Sequence, residues 1–275
     1  MALLLAACGE TPVDSATAAE AAALNKRGLE HFQNRRIPEA FEHFREAAEK
    51  DPGVSEYPNN AGMALFQQGQ LPAAREYFGR AIDTAPEIAL HRYNRALVLI
   101  QMQQFEDAVD DLKQAIEIKA DYLDPYIQLG LYHLNRQQYG EAVAVYTKAI
   151  ELREAPELIS NLGMAYLFQG QFEDAEKTFK AAIKLAPRYV LAHFNLGVLY
   201  QKQQRLPEAA QSYERAIEVE PRKVESYMNL GIVQTKLGNK PAAIQALQRF
   251  IEVAPPAMQP QKQDAQRRIA ELRGG

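Results

Sequence analysis

One residue class recurs through this chain at a fixed interval, and that period constrains the fold more than any composition does. Glycine or alanine stands at Gly28, Gly62, Ala96, Gly130, Gly163, Gly197 and Gly231, at intervals of 34, 34, 34, 33, 34 and 34 residues. Twelve residues after each comes alanine, at Ala40, Ala74, Ala108, Ala142, Ala175, Ala209 and Ala243. Sixteen after comes a large side chain, at Phe44, Phe78, Leu112, Tyr146, Phe179, Tyr213 and Leu247. Nineteen after comes alanine again in six of the seven, and twenty-four after comes proline in five, at Pro52, Pro86, Pro187, Pro221 and Pro255. The third repeat departs from the pattern with Ala96 and Ala120, and the fourth is one residue short, its proline displaced to Pro156. Small residues at these spacings let two helices approach closely, the large residue fills the space between them, and proline stops the second helix. One such unit exposes an apolar face, which stacking on its neighbours buries.

The pattern resembles the tetratricopeptide repeat, a unit of helix A, turn and helix B, over residues 21–257. The resemblance implies an all-α fold, a right-handed superhelical solenoid of seven helix pairs at 21–54, 55–88, 89–122, 123–155, 156–189, 190–223 and 224–257. A capping helix and tail at 258–275 follow, with Pro260 at the helix start and Ala265, Ile269 and Leu272 turned to the last repeat beside Phe250. At the front, Ala16 to Ala23 extends the first helix A.

Charge and motif content narrow the function. Lysine and arginine number 31 against 35 acids, a net charge of −4, too balanced for a protein that tracks phosphates, so nucleic acid is excluded as main partner. No run of 18 apolar residues offers a membrane-spanning helix. The repeats use every segment long enough to hold a catalytic site, and no H-E-x-x-H, G-x-G-x-x-G, P-loop or G-x-S-x-G pattern occurs. His31 and His133 share the helix-A position of Tyr166 and Tyr200 and read as packing residues. Glu39, Glu106, Asp107, Glu141, Glu173, Asp174 and Glu208 open the helices B, where the dipole favours an acid. The expectation is a non-enzymatic protein with no cofactor, no metal and no small-molecule substrate.

The chain begins M-A-L-L-L-A-A-C, and Leu5-Ala6-Ala7-Cys8 resembles the lipobox of bacterial lipoproteins. The resemblance implies that residues 1–8 are the remnant of an export signal, that Cys8 becomes a lipidated N-terminus, and that 9–20 is a tether. It further implies a membrane anchor at the periplasmic face of the outer membrane, since no aspartate follows the cysteine. The segment lacks a basic n-region and is shorter than an export signal, so either the true start lies upstream or the match is chance, as in a soluble cytoplasmic adaptor.

The expected binding surface is the concave face lined by helix A. With the recurrent glycine or alanine as position eight, positions two, five, six, nine, twelve and thirteen point into it. Position nine reads Leu29, Met63, Leu97, Leu131, Met164, Val198 and Ile232. Position twelve reads Phe32, Phe66, Ile100, Leu134, Leu167, Gln201 and Thr235, and position five adds Tyr93, Ile127, Phe194 and Met228. The family is more polar at position nine, and an apolar stripe of this length marks a partner site, unless packing between repeats or another protein segment covers it. Position six reads Lys26, Asn60, Asn94, Gln128, Asn161, Asn195 and Asn229, which resembles the amide array that holds an extended peptide by its backbone; asparagine is also common there in the repeat generally. The dicarboxylate clamp of chaperone-binding members needs cations at positions two, five and six. Only Lys26 qualifies, and Glu56, Asp124, Glu157 and Glu225 occupy position two, so an acidic chaperone tail is disfavoured. The expected function is a lipid-anchored scaffold that binds another protein or an extended peptide segment. The layout is similar to that of the lipoproteins that assist type IV pilus secretin assembly.

Overall fold

Fifteen α-helices and one 3-10 turn make up the described part of the computed structural model, residues 13–274, and no strand occurs among the described residues. The helices are α1 (Ser15–Gln33), α2 (Ile37–Lys50), α3 (Glu56–Gln67), α4 (Leu71–Thr84), α5 (Ala89–Gln101), α6 (Phe105–Ile118), α7 (Leu123–Asn135), α8 (Tyr139–Leu152), α9 (Pro156–Gln169), α10 (Phe172–Leu185), α11 (Val190–Lys202), α12 (Leu206–Val219), α13 (Val224–Lys236), α14 (Lys240–Val253) and α15 (Gln259–Gly274). The chain divides into two compact units between Pro125 and Tyr126. In the first, each helix from α1 to α6 packs on the next, and α3 also touches α5. In the second, the same succession runs from α8 to α15, and α9 also touches α11. Odd-numbered helices to α13 are the helices A and even-numbered ones the helices B.

Six of the seven pairs are closed by the recurrent glycine. A methyl group built on Gly28 would fall 2.5 Å from the Phe44 ring, on Gly62 2.9 Å from Phe78, on Gly130 2.5 Å from Tyr146, on Gly163 2.6 Å from Phe179 and on Gly197 2.7 Å from Tyr213. The ring of helix B thus lies flat on the backbone of helix A, where no side chain has room. At Gly231 the same seat holds Leu247, at 2.7 Å. These rings are almost wholly buried, as are the alanines four residues before them. The third repeat carries Ala96 and Leu112 at the two positions, both buried.

The turn from helix A to helix B has a period of its own. Arg35, Gly69, Gln103, Gln137, Gly170, Gln204 and Gly238 all have left-handed backbone, with φ between 58° and 85°. Each lets two amides fold back on the end of helix A, as when Arg35 N–H reaches Phe32 C=O at 3.0 Å and Arg36 N–H reaches His31 C=O at 2.9 Å. Only three of the seven are glycine, and the four others are exposed.

Helix B ends two residues before proline. Asp51, Ala85, Ala186 and Glu220, which precede the prolines, leave the helical region, with φ between −134° and −142° and ψ between 80° and 92°, as proline disfavours helical backbone before it. The third repeat stops at the same place without one, Lys119 taking φ −138° and ψ 91°. The displaced Pro156 does not end a helix at all. It is the first residue of α9, where a missing N–H costs nothing. The stretch 9–20, expected as a tether, is helical from Ser15, because Asp14 accepts hydrogen bonds from the amides of Ala16 (2.9 Å) and Thr17 (3.0 Å) and alanine-rich sequence follows. At the other end, α15 lays Ala265 and Ile269 on Tyr227, Leu247, Phe250 and Ala254, with Leu272 at the margin, which is the expected cap.

A polar knot sits inside the first unit. His91 on α5 is buried with Nε2 3.0 Å from Ser55 Oγ and Nδ1 3.2 Å from Asn59 Oδ1, and Asn94 Nδ2 donates to the same oxygen at 2.8 Å. Because Asn59 Oδ1 only accepts, Nδ1 carries the ring proton and Nε2 accepts from Ser55. Burial pushes the His91 imidazole below its usual range, with Glu87 opposing.

Two predictions follow from this packing. Gly163→Ala should lower stability by about 1–3 kcal/mol in a urea titration, and adding Phe179→Leu should cost less than the sum of the two single changes. A Gly163→Ala midpoint equal to wild type would refute the seat. His91 is held neutral in the fold but binds a proton more readily when unfolded, so its contribution is complete above about pH 6.5 and declines as pH falls further. The urea midpoint should therefore drop between pH 7.5 and 5.5, and His91→Gln should flatten that drop.

Candidate functional site

The helix-A face is half in and half out of water. Of the position-nine residues, Leu29 and Met63 are 37% exposed and Leu131 39%, while Leu97, Met164, Val198 and Ile232 are half-buried. Phe32, Phe66, Ile100 and Leu134 at position twelve, and Tyr93, Ile127, Phe194 and Met228 at position five, are half-buried too. Leu167 departs from the expectation. It is 1% exposed, inside a cluster with Phe179, Leu199 and Tyr200, and the next residue, Phe168, is the one exposed, at 47%.

Within the second unit Met164, Phe194 and Val198 pack against that same cluster, so three of the expected groove residues are neighbours on one apolar floor. Ile127, Gln128, Leu131 and Leu134 lie along α7. In the first unit Phe32 rests on the cluster around Phe44, and Phe66 on the cluster around Phe78. Met63 lies against Asn59, its sulfur 3.9 Å from Nδ2, and Tyr93 stands edge-on to Tyr122 with centroids 5.3 Å apart.

The amide row has a partner inside the protein. Asn60 Nδ2 donates to Asn25 Oδ1 (2.9 Å), Asn94 Nδ2 to Asn59 Oδ1 (2.8 Å) and Asn195 Nδ2 to Ser160 Oγ (3.2 Å). Each is a bond from position six of one repeat to position five of the repeat before, and each acceptor residue is buried. These amides stitch successive helices A together. One N–H does this work, and an asparagine has a second N–H and a carbonyl besides. Asn60 also approaches Glu56 Oε1 at 3.4 Å, and that carboxylate accepts from Asn25 Nδ2 at 3.0 Å. Asn161 is half-buried on α9.

Five further residues belong to this face. Leu90 and Leu191, at position two, are 45% and 39% exposed. At position thirteen Phe168 stacks on Tyr139, centroids 5.5 Å apart at 24°, and Lys202 and Lys236 stand exposed at the ends of their helices. Their register in the repeat was the available signal, since positions two and thirteen were already assigned to the face. Two of the acids at position two are ion-paired, Glu157 with Arg153 and Glu225 with Lys223, each at 3.3 Å.

Family models described as tetratricopeptide repeat match residues 59–122 and 160–218, 123–156, and 196–273. No curated protein matches the chain. Among solved structures, the C-terminal part of a tetratricopeptide repeat-containing protein from Cytophaga hutchinsonii is 18% identical with a TM-score of 0.72, covering 87% of this chain and 98% of that one. YrrB, described as a TPR protein with an unusual peptide-binding site, is 24% identical with a TM-score of 0.53, covering 67% and 95%. PilW, described as a widely conserved type IV pilus biogenesis factor, is 19% identical with a TM-score of 0.61, covering 71% and 91%. At these identities the likeness is one of fold. With the glycine–ring seat in five repeats and its leucine counterpart at Gly231, the stacked helix pairs and the matched models, this chain belongs to the tetratricopeptide repeat family, a scaffold for protein–protein interaction.

Proposed function

We propose that this protein is a non-enzymatic, lipid-anchored scaffold that holds a segment of another protein against its helix-A face, at the periplasmic side of a bacterial outer membrane. The observation that carries the binding reading is the position-nine row, apolar in all seven repeats and left partly in water by its own fold. Seating two or three partner side chains there contributes about 1.5–3 kcal/mol each. After the cost of ordering the partner, the affinity is roughly micromolar. The amide stitches hold the helices in place rather than acting as a peptide clamp alone, and backbone bonds to the remaining amide groups add about 0.5–1.5 kcal/mol each.

The anchor reading rests on Leu5-Ala6-Ala7-Cys8. Cys8 lies outside the described residues, and no described helix is long and apolar enough to cross a membrane. A second reading, an assembly factor for a type IV pilus secretin, draws support from the likeness to PilW.

Two experiments test these proposals. Met63→Asp with Leu131→Asp should abolish capture of partners from detergent-solubilised membranes while leaving the thermal midpoint within a few degrees, because both side chains are more than a third exposed. A stable double variant that retains every wild-type partner moves the site off this face. Expressed from its native gene, the wild-type protein should take up radiolabelled palmitate, and Cys8→Ser should release it to the soluble fraction. Absence of label in the wild type favours a soluble adaptor.

A further inference from the structure

Charge is unevenly shared along position thirteen. In the first unit that position is occupied by Gln33, Gln67 and Gln101, all exposed and neutral. In the second it reads Asn135, Phe168, Lys202 and Lys236. Lys202 and Lys236 end α11 and α13, consecutive helices A, and neither meets a carboxylate among the described residues, whereas the position-two acids Glu157 and Glu225 already have cationic partners. Lys223, in the loop before α13, pairs with Glu225 at 3.3 Å and has its Nζ 5.4 Å from the Phe194 ring centroid. Lys202 Nζ lies 5.8 Å from the centroid of the Phe172 ring, which packs on the same cluster as Met164, Phe194 and Val198, so a lysine without a carboxylate partner borders that floor.

We propose that this part of the second unit recognises a protein segment bearing two acidic side chains, one for Lys202 and one for Lys236, next to apolar side chains for Val198 and Phe194. The proposal rests on the reading of the helix-A face as a binding groove and adds the chemistry of what enters it. Lys202 and Lys236 hold the same position in consecutive repeats, so the two acids belong to one short stretch of the bound segment. The cations occupy position thirteen of the last two repeats, not the positions of the dicarboxylate clamp. Exposed lysine–carboxylate pairs are individually weak, so their effect is on selection and encounter more than on affinity.

The test is selection of random twelve-residue peptides displayed on phage against the full chain, against Lys202→Glu/Lys236→Glu, and against Met164→Asp/Val198→Asp, each confirmed helical by circular dichroism. The wild type should enrich peptides with paired aspartate or glutamate beside apolar residues. Those peptides should bind the lysine variant about five- to thirtyfold more weakly, and that variant should itself enrich lysine and arginine. Enriched peptides without acids, or with unchanged affinity for the lysine variant, overturn the charge proposal and leave the groove standing. Acidic peptides that bind the Met164→Asp/Val198→Asp variant as well as wild type overturn the groove reading as well, as does a selection that yields no binder.

Discussion

The approach of two helices at the glycine–ring seat is the contact on which the rest depends. An ordinary side chain at Gly163 would hold helix A away from helix B by the thickness of a methyl group, and the Phe179 ring would lose its bed. Dense packing has little tolerance for such a change. Because the seat recurs with one period, each pair presents the same outer surface to the next, and stacking follows without any long-range pairing. The closing of a pair also sets which residues of helix A face away from helix B, and so which ones are left to the solvent.

That consequence explains the half-exposed state of the binding face. Residues one step past the glycine, such as Met63 and Leu131, lie off the ring and stay more than a third exposed. The neighbouring helix A covers one flank only, joined by the amide stitches from Asn60 to Asn25, Asn94 to Asn59 and Asn195 to Ser160. A face so made is apolar yet ordered, and a ligand meets side chains whose stems are already fixed, which lowers the entropic cost of binding.

Most of this was legible in the sequence because it depends on spacing. The period located the seat, the prolines located the ends of helices B, and Ala265, Ile269 and Leu272 located the cap. What depends on where side chains point was less legible. The position-six asparagines read as an external ladder, but their bonds to position five need knowledge that adjacent helices A lie side by side, and position five, which runs Asn25, Asn59, Tyr93, Ile127, Ser160, Phe194 and Met228, has no single residue type to advertise it. Leu167 was assigned to the face by register, yet it turns inward to Phe179 while Phe168 turns out. Pro156 looked like a displaced stop and is a helix start, a distinction that depends on which side of the proline the helix lies. The identity and cellular setting of the partner are not written in the repeat at all, since the same spacing serves any cargo.

The four turns closed by Arg35, Gln103, Gln137 and Gln204 carry a further meaning for how such a chain can change over time. An L-residue held in left-handed backbone costs on the order of 1–2 kcal/mol, and glycine at the same place gives back part of that through the greater freedom it loses on folding. The net gain of each replacement is small but independent of the others, because the four turns are distant in sequence and share no partners. The face can therefore acquire new and less stable side chains while the turns supply compensation, so that specificity and fold are free to drift separately.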